Sequence, residues 1–302
     1  MVLGLVIASL AGVGIGLLSG LLGIGGGTVI VPLLRLGFGL AAIEATATSL
    51  FAIIPTSVAG VVGHLRHRTC VVGVGVAAGL AGALTSPIGV QLADRSPSWA
   101  IMLAAALVIG YSAVTMLKKA LVSSHVTSSH AASPHVPHAM PSQDASPHVA
   151  SSHAVSPYVA QESIKKSINA HRVHATCHQI LVGALSGLIA GLASGYVGVG
   201  GGFIMVPLFV SFAGISMKQS SGTSLIGVAI LAIPGVISQM TLGNVQVLPG
   251  LALALGSVPG ALWGARLVQV IPERSLRLLF GMVLVLMACA LVFNEVFSLI
   301  VG

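Results

Sequence analysis

Two stretches of this chain lie 175 residues apart and are nearly the same: GLLSGLLGIGGGTVIVPLL begins at Gly16, and GLASGYVGVGGGFIMVPLF begins at Gly191. Eleven of their 19 aligned positions are identical. The register continues through Thr-Ser-Leu at 48–50 and 223–225 and through Pro97 and Pro272. Because chance does not hold one offset over about 80 residues, the chain is a duplicated unit.

Hydrophobic residues form 55% of the 302 residues, and charged residues only 6%. A soluble domain carries about a quarter charged residues, so this composition could not cover a surface that faces water. The charge-free runs reach the roughly 20 residues that a helix needs to cross hydrocarbon. Short alternating strands, which a membrane barrel requires, do not occur in the sequence. The composition therefore predicts an all-α, polytopic integral membrane protein, with the lipid bilayer as its partner.

Each copy contains five apolar segments. Those of the first copy cover roughly 2–23, 28–37, 44–63, 70–93 and 97–117, and those of the second 178–197, 203–213, 220–242, 246–269 and 274–300. The second segment of each copy follows the glycine triplet directly. Its length of about 10 residues corresponds to half a membrane thickness. We therefore expect one broken or re-entrant helix in each copy.

The basic residues indicate how the copies are oriented. If each copy crosses the membrane five times, the copies are inverted, and 11 of the 13 Lys and Arg residues lie on one side, with Arg35 and Arg95 on the other. Four crossings would give parallel copies and a nearly even split. The positive-inside rule favours the first arrangement. We predict inverted repeats, with both termini outside and the linker in the cytoplasm of a cell whose inner membrane holds the protein.

Three regions follow from this organisation: a first transmembrane repeat at 1–119, a linker at 120–177 and a second repeat at 178–302. The linker is rich in Ser, Ala, Pro and His, and this composition predicts disorder apart from a short basic helix at 161–176. Nine of the 11 histidines lie between His125 and His178. A divalent-metal transporter with this tract as a cytoplasmic sensor is therefore an alternative, although the spacing is irregular and acids occur only at segment edges or in the linker.

The glycine triplets are the strongest candidate site. Three successive glycines let the backbone approach a ligand closely, and the half-helix that follows presents unpaired N–H groups to an anion. Tight helix packing is the alternative explanation. Hydroxyl residues repeated in both copies could donate hydrogen bonds to the same anion, or could instead satisfy helix carbonyls. The candidate substrate-binding residues are Ser19, Gly23, Gly25, Gly26, Gly27, Thr48, Ser49, Ser194, Gly198, Gly200, Gly201, Gly202, Thr223 and Ser224.

Other classes of function lack the residues that they require. The sequence contains no HExxH motif, no paired carboxylates and no nucleophile beside a base, so we expect neither an enzyme nor a cofactor. The basic residues form no stripe interleaved with aromatics, which argues against nucleic acid as a partner. Acids occur only at segment ends or in the linker, which disfavours carboxylate-based proton coupling. His64, which aligns with Gln239, is expected near the membrane interface beside Arg66.

The two glycine motifs, the Thr-Ser-Leu segments and Gly-Asn-Val at 243–245 resemble the TauE/SafE sulfite exporter family, also called the 4-toluene sulfonate uptake permease family. The resemblance covers about 1–118 and 178–300 and omits the linker. It implies a bacterial inner-membrane carrier of small sulfur-containing anions such as sulfite, thiosulfate or organosulfonates. In the first copy, Arg68-Thr69-Cys70 replaces the Gly-Asn-Val type of sequence. The particular anion, the direction of transport, a coupling ion and the oligomeric state stay open.

Overall fold

A computed structural model describes residues 2–128 and 176–301, and every regular element in these two ranges is helical. The helices of the first copy are α1 Val2–Leu22, α2 Gly27–Phe38, α3 Ala42–Arg66, α4 Val72–Asp94 and α5 Ser98–Ser128. Those of the second copy are α6 Cys177–Val197, α7 Gly202–Leu208, α8 Met217–Thr241, α9 Val247–Leu267 and α10 Glu273–Val301. A π-helical turn, Phe209–Ala213, continues α7.

Seven of these helices are long and apolar enough to cross a membrane: α3, α4, α5, α6, α8, α9 and α10. The described apolar part of α1 is shorter, as are α2 and the run Gly202–Ala213. The prediction of an all-α, multi-pass membrane protein is confirmed. The predicted basic helix at 161–176 and most of the linker lie outside the described residues.

Polar side chains fix where several helices begin. Ser216 accepts a hydrogen bond from the backbone N–H of Gln219 at 3.3 Å at the start of α8. The Gln179 side chain accepts from the Thr176 N–H at 3.2 Å at the start of α6. Each contact satisfies a backbone donor that has no carbonyl partner within the helix. The apolar runs between such caps then form the membrane-crossing bodies.

The first helix of each copy packs against the fourth helix of the other copy, α1 against α9 and α6 against α4. Small residues bring these backbones into direct contact. A Cβ atom on Gly16 would lie 2.0 Å from the Ser257 carbonyl oxygen, and one on Gly187 would lie 2.0 Å from the Ala78 carbonyl oxygen. Such close approach is the usual way in which helices associate within a membrane.

The order of these contacts gives the helix directions. Along α1 and α9, Gly16 faces Ser257 and Gly20 faces Ala261, so the two helices run in the same direction. The same holds for α6 and α4, in which Gly187 faces Ala78. These two helix pairs are equivalent under the duplication.

The central helices α3 and α8 run in opposite directions. Gly60 of α3 faces Leu225 near the start of α8, whereas Gly235 near the end of α8 faces Leu50. Contacts with their outer neighbours extend the pattern, since α3 runs with α9 and α8 runs with α4. Helices α1, α3 and α9 therefore share one direction, and α4, α6 and α8 share the other.

Candidate functional site

The first glycine loop joins α1 to α2 inside the bundle. Gly26 precedes the first helical residue and has φ 86°, a left-handed conformation that strongly favours glycine. The N–H groups of Val29 and Ile30 both donate to the Gly26 carbonyl at 3.0 Å. Within the described ranges, the N–H groups of the four residues before Val29 donate no hydrogen bond; these are Gly25, Gly26, Gly27 and Thr28. All four residues are buried. The start of α2 thus presents a cluster of unpaired donors away from solvent.

The second glycine loop repeats this arrangement with one difference. Gly201 has φ 69°, and its carbonyl accepts from Ile204 at 3.1 Å and from Met205 at 3.0 Å. The Gly202 N–H, however, donates to the Gly200 carbonyl at 2.9 Å. One donor that is unpaired at the first loop is therefore occupied at the second.

The two loops touch each other between α3 and α8. A Cβ atom on Gly27 would lie 2.5 Å from the Val199 carbonyl oxygen, and one on Gly202 would lie 2.4 Å from the Gly23 carbonyl oxygen. Side chains from both central helices flank the contact, because Ile53 of α3 and its counterpart Val228 of α8 each lie against Gly25 and Gly200. The structure thus brings the two predicted glycine motifs together at the middle of the bundle.

Six hydroxyl groups in the two copies are completely buried and have no hydrogen-bond partner among the described residues. Three of them belong to the predicted set, Ser19, Ser49 and Ser194. The other three, Thr28, Ser57 and Ser86, are in the first copy only. A buried, unsatisfied polar group costs about 1–3 kcal/mol, so such groups call for a partner, for example a bound ion or water.

Thr28 and Ser57 were missed by the sequence analysis, because a search for repeated residues excludes them. Their counterparts in the second copy are Phe203 and Ala232. The Ser57 Oγ lies 3.5 Å from the position that a Cβ atom on Gly25 would take, and the Ser19 Cβ lies 3.6 Å from the corresponding position on Gly26. The spacing of Ser49, Ile53 and Ser57 at four-residue intervals places them on one face of α3, and this pattern could have identified Ser57.

Three other predicted hydroxyl residues make structural hydrogen bonds. Thr48 accepts from the Gln246 N–H at 3.0 Å, and its counterpart Thr223 accepts from the Val71 N–H at 2.9 Å. Each bond joins a central helix to the residue before the start of α9 or α4. Ser224 donates to the Gly23 carbonyl at 2.7 Å. These contacts fit the alternative in which membrane hydroxyls satisfy backbone groups.

Charge is scarce around the loops. Among the side chains whose exposure the structure describes, His64 is the only ionisable one in the buried class. Its Nε2 lies 2.8 Å from the Gly20 carbonyl oxygen, and its Nδ1 lies 2.7 Å from the Thr69 hydroxyl. The described residues contain no cluster of three or more His, Cys, Asp or Glu that could hold a metal ion. The donors at the loops are therefore amides and hydroxyls.

Glycine-broken helices that meet inside a multi-pass helical bundle occur in many membrane transporters. The chain belongs to the family described as Sulfite exporter TauE/SafE, whose family model matches residues 8–291. This is a family of membrane transporters, and the chain is a multi-pass membrane protein.

Two curated relatives from Bacillus subtilis (strain 168) are similar to the chain. Probable membrane transporter protein YunE is 29% identical over 121 residues, which span 40% of this chain and only 44% of that protein. Probable membrane transporter protein YdhB is 22% identical over 264 residues, or 87% of this chain and 90% of that protein. No solved structure matches the chain.

Proposed function

We propose that the protein is a secondary transporter, and specifically an exporter, of small sulfur-containing anions, which bind at the glycine loops. One observation carries this proposal: unpaired amides from Gly25 to Thr28 and unpartnered hydroxyls of Ser19, Thr28 and Ser57 are buried around one helix start. Backbone N–H groups donate hydrogen bonds and do not accept them, and the start of a helix carries partial positive charge. Such a site suits an oxyanion with several acceptor oxygens.

The second loop contributes the donors that face the first. Gly200 and Gly201 retain unpaired N–H groups in the described structure, and Ser194 supplies a further buried hydroxyl. Gly198 and Gly202 form the close contact between this loop and its neighbours. Sulfite, thiosulfate and organosulfonates are the candidate substrates, because the resemblance and the family description both indicate sulfur chemistry.

Alternating access follows if the two copies are inverted repeats. Support for inversion comes from helix directions, since α1 and α6, α3 and α8, and α4 and α9 are counterparts that run oppositely. An odd number of crossings per copy requires this reversal, with each loop and short helix completing one crossing. Rocking of one repeat against the other would then expose the loops to each side in turn. Under the proposed topology, the positive-inside rule favours a cytoplasmic linker.

Reconstituted liposomes loaded with sulfite, thiosulfate or a small sulfonate provide the direct test. We expect efflux of at least one of these anions, and loss of that efflux in Gly26→Val and Gly201→Val. A β-branched side chain at a left-handed position costs on the order of 1–3 kcal/mol and fills the approach to the amides. Gly14→Val is the matched control, because a Cβ atom at Gly14 meets nothing within 4 Å.

The outcomes separate site from substrate. If correctly inserted protein transports none of the three anions, the sulfur-anion proposal fails. If an anion is transported and both loop variants keep the flux of the Gly14→Val control, the transport function stands but the glycine loops are not its site.

A further inference from the structure

A separate cavity of about 340 Å³ lies between α5, α6, α7 and the π-helical turn. One face of α5 forms its longest wall, with Val108, Ser112, Thr115 and Lys119 at intervals of three or four residues. Side chains of α7 and the turn form the opposite wall. Its volume is at the lower end of the range for ligand pockets.

The cavity opens sideways onto the outer surface of the bundle. Tyr111 is 73% exposed and Phe212 is 63% exposed, and both line the opening. Both belong to an apolar helical surface of a multi-pass membrane protein, which is the kind of surface that acyl chains cover. Most of the lining is aliphatic or aromatic, which suits a hydrocarbon chain entering from the bilayer.

The polar groups of the cavity gather around one cation. The Lys119 Nζ donates a hydrogen bond to the Ser211 hydroxyl, which in turn donates to the Pro207 carbonyl. Arg277 of α10 adds positive charge to this neighbourhood and forms an ion pair with Glu273 at 3.5 Å. Lys119 lies near the end of the membrane-crossing run Ser98–Ala120, where headgroups meet water. An anion at this point would meet the Lys119 ammonium group and the Ser211 hydroxyl.

The polar lining does not belong to the duplicated machinery. Ser112, Thr115, Lys119 and Ser211 correspond to Met287, Ala290, Asn294 and Leu36 in the other copy. The π-helical turn also has no equivalent in the first copy, where α2 continues to Phe38 as a regular α-helix. Such turns often occur at functional sites. This crevice is therefore present in one copy only and lies apart from the two glycine loops.

We propose that this crevice binds an anionic phospholipid, with one acyl chain in the cavity and the headgroup phosphate at Lys119 and Ser211. The lateral opening and the position of the lysine at a membrane interface favour a lipid of the surrounding leaflet. Basic pockets between helices at the cytoplasmic side are known to bind anionic headgroups. The bound chain would lie against α7, the short helix that follows the second glycine loop.

Fluorescence quenching in vesicles tests this proposal independently of transport. The reporter is Tyr111→Trp in a background in which Trp99 and Trp263 are replaced by phenylalanine. Vesicles of phosphatidylcholine receive a small fraction of brominated phosphatidylglycerol or, in the parallel series, of brominated phosphatidylcholine. We expect the anionic lipid to quench at an about five-fold lower fraction, the change that one lysine near a charged headgroup contributes.

Two variants decide whether the preference comes from the crevice. Lys119→Asn and Ser211→Leu introduce the side chains of the counterpart residues Asn294 and Leu36. Both substitutions should reduce the preference for the anionic lipid. Lys118→Asn, at the neighbouring exposed lysine, should retain it. Equal quenching by both lipids overturns the proposal. So does a preference that survives in Lys119→Asn, or one that Lys118→Asn removes to the same extent, since that is a general effect of surface charge.

Discussion

Two junctions in the molecule contain equivalent residues but make different hydrogen bonds. At the first junction, where α1 ends, His64 binds the Gly20 carbonyl and Ser224 donates to the Gly23 carbonyl. At the second junction, where α6 ends, the counterparts of His64 and Ser224 are Gln239 and Ser49. The Gln239 Nε2 and the Ser49 hydroxyl are buried and have no partner among the described residues.

The difference is confined to bonds that hold the ends of the first helices. One side-chain contact is present in both copies: the His64 Nδ1 lies 2.7 Å from the Thr69 hydroxyl, and the Gln239 Oε1 accepts from the Asn244 Nδ2 at 2.8 Å. The first junction therefore has two hydrogen bonds that the second junction lacks, although the residues occupy matching positions in the two copies. If the two copies are inverted repeats, as proposed, the two halves would exchange such states when access alternates. We expect Gln239 and Ser49 of the second junction to form hydrogen bonds with the Gly195 and Gly198 carbonyls as the equivalent bonds of the first junction break.

The largest effect should come from substitutions that force the two glycine loops apart. Gly27→Ala and Gly202→Ala should each abolish most anion flux, because the added Cβ would lie 2.5 Å or less from backbone of the facing loop. We expect a loss of about 2–3 kcal/mol in the free energy of unfolding, a magnitude typical of overpacking. Flux in liposomes and unfolding in detergent measure the two consequences. Gly14→Ala should match the unsubstituted protein, and similar losses in that control would refute the explanation.

The next largest effect should come from substituting the equivalent threonines of the two copies, Thr48 and Thr223. Thr48→Val and Thr223→Val each leave a backbone N–H unpaired, at Gln246 or Val71, and should lower the free energy of unfolding by about 1–3 kcal/mol. Because both copies make this bond, we expect nearly equal losses and unchanged apparent affinity for the anion. Thermal unfolding and concentration-dependent flux check these points. Clearly unequal losses would show that the asymmetry extends beyond the junctions.

The sequence predicted the fold well where apolar length and glycine position decide it. The short segments predicted at 28–37 and 203–213 correspond to Gly27–Phe38 and to the helical run Gly202–Ala213. The predicted segment 97–117 ends earlier than α5, which continues to Ser128. An apolar run marks the crossing rather than the helix end, and no Gly or Pro interrupts residues 118–128. The π-helical turn left no signal, since it only widens one helical turn.

The candidate site was predicted in part. Repetition identified the glycines and Ser19, but repetition alone could not distinguish Ser49 from Thr48, which points to the start of α9. It also could not find Thr28 and Ser57, since neither is repeated. Full burial of His64 likewise depends on the packing of α1 and α8 around it. Hydrogen-bond partners are set by tertiary contacts, which a periodic pattern does not specify.

Exchanging the side chains of the two junctions sharpens the comparison directly. His64→Gln should weaken the hydrogen bond of the first junction to Gly20, and Gln239→His should add the equivalent bond to the second junction. Both substitutions should therefore raise the population of the state in which the second junction carries these bonds. One hydrogen bond of about 1 kcal/mol corresponds to a roughly five-fold shift in population. Val228→Cys in an otherwise cysteine-free protein reports that shift. Its rate of reaction is measured in vesicles with an impermeant thiol reagent that is added to one side or the other. Val228 is buried between the loops, where access should change.

The double variant that combines His64→Gln with Gln239→His provides a further test. The protein that carries both substitutions should resemble the single variants in the direction of its shift and exceed them in size. If instead the rates from the two sides stay in their original ratio in every variant, these hydrogen bonds do not set the conformational balance.

The smallest effect should separate Ser224 from Ser49. Ser224→Ala removes a bond of 2.7 Å to the Gly23 carbonyl and should lower the free energy of unfolding by about 0.6 kcal/mol, the average for hydrogen bonds within membrane proteins. Ser49→Ala removes a hydroxyl that has no partner among the described residues, so unfolding should be unchanged or slightly harder. Chemical or thermal unfolding in one detergent, with both variants measured side by side, resolves this difference. Because the two serines are counterparts on antiparallel helices, an equal cost at both positions would mean that the junctions are alike in the membrane. A cost at Ser224 alone would instead locate the asymmetry at this single pair of hydroxyls.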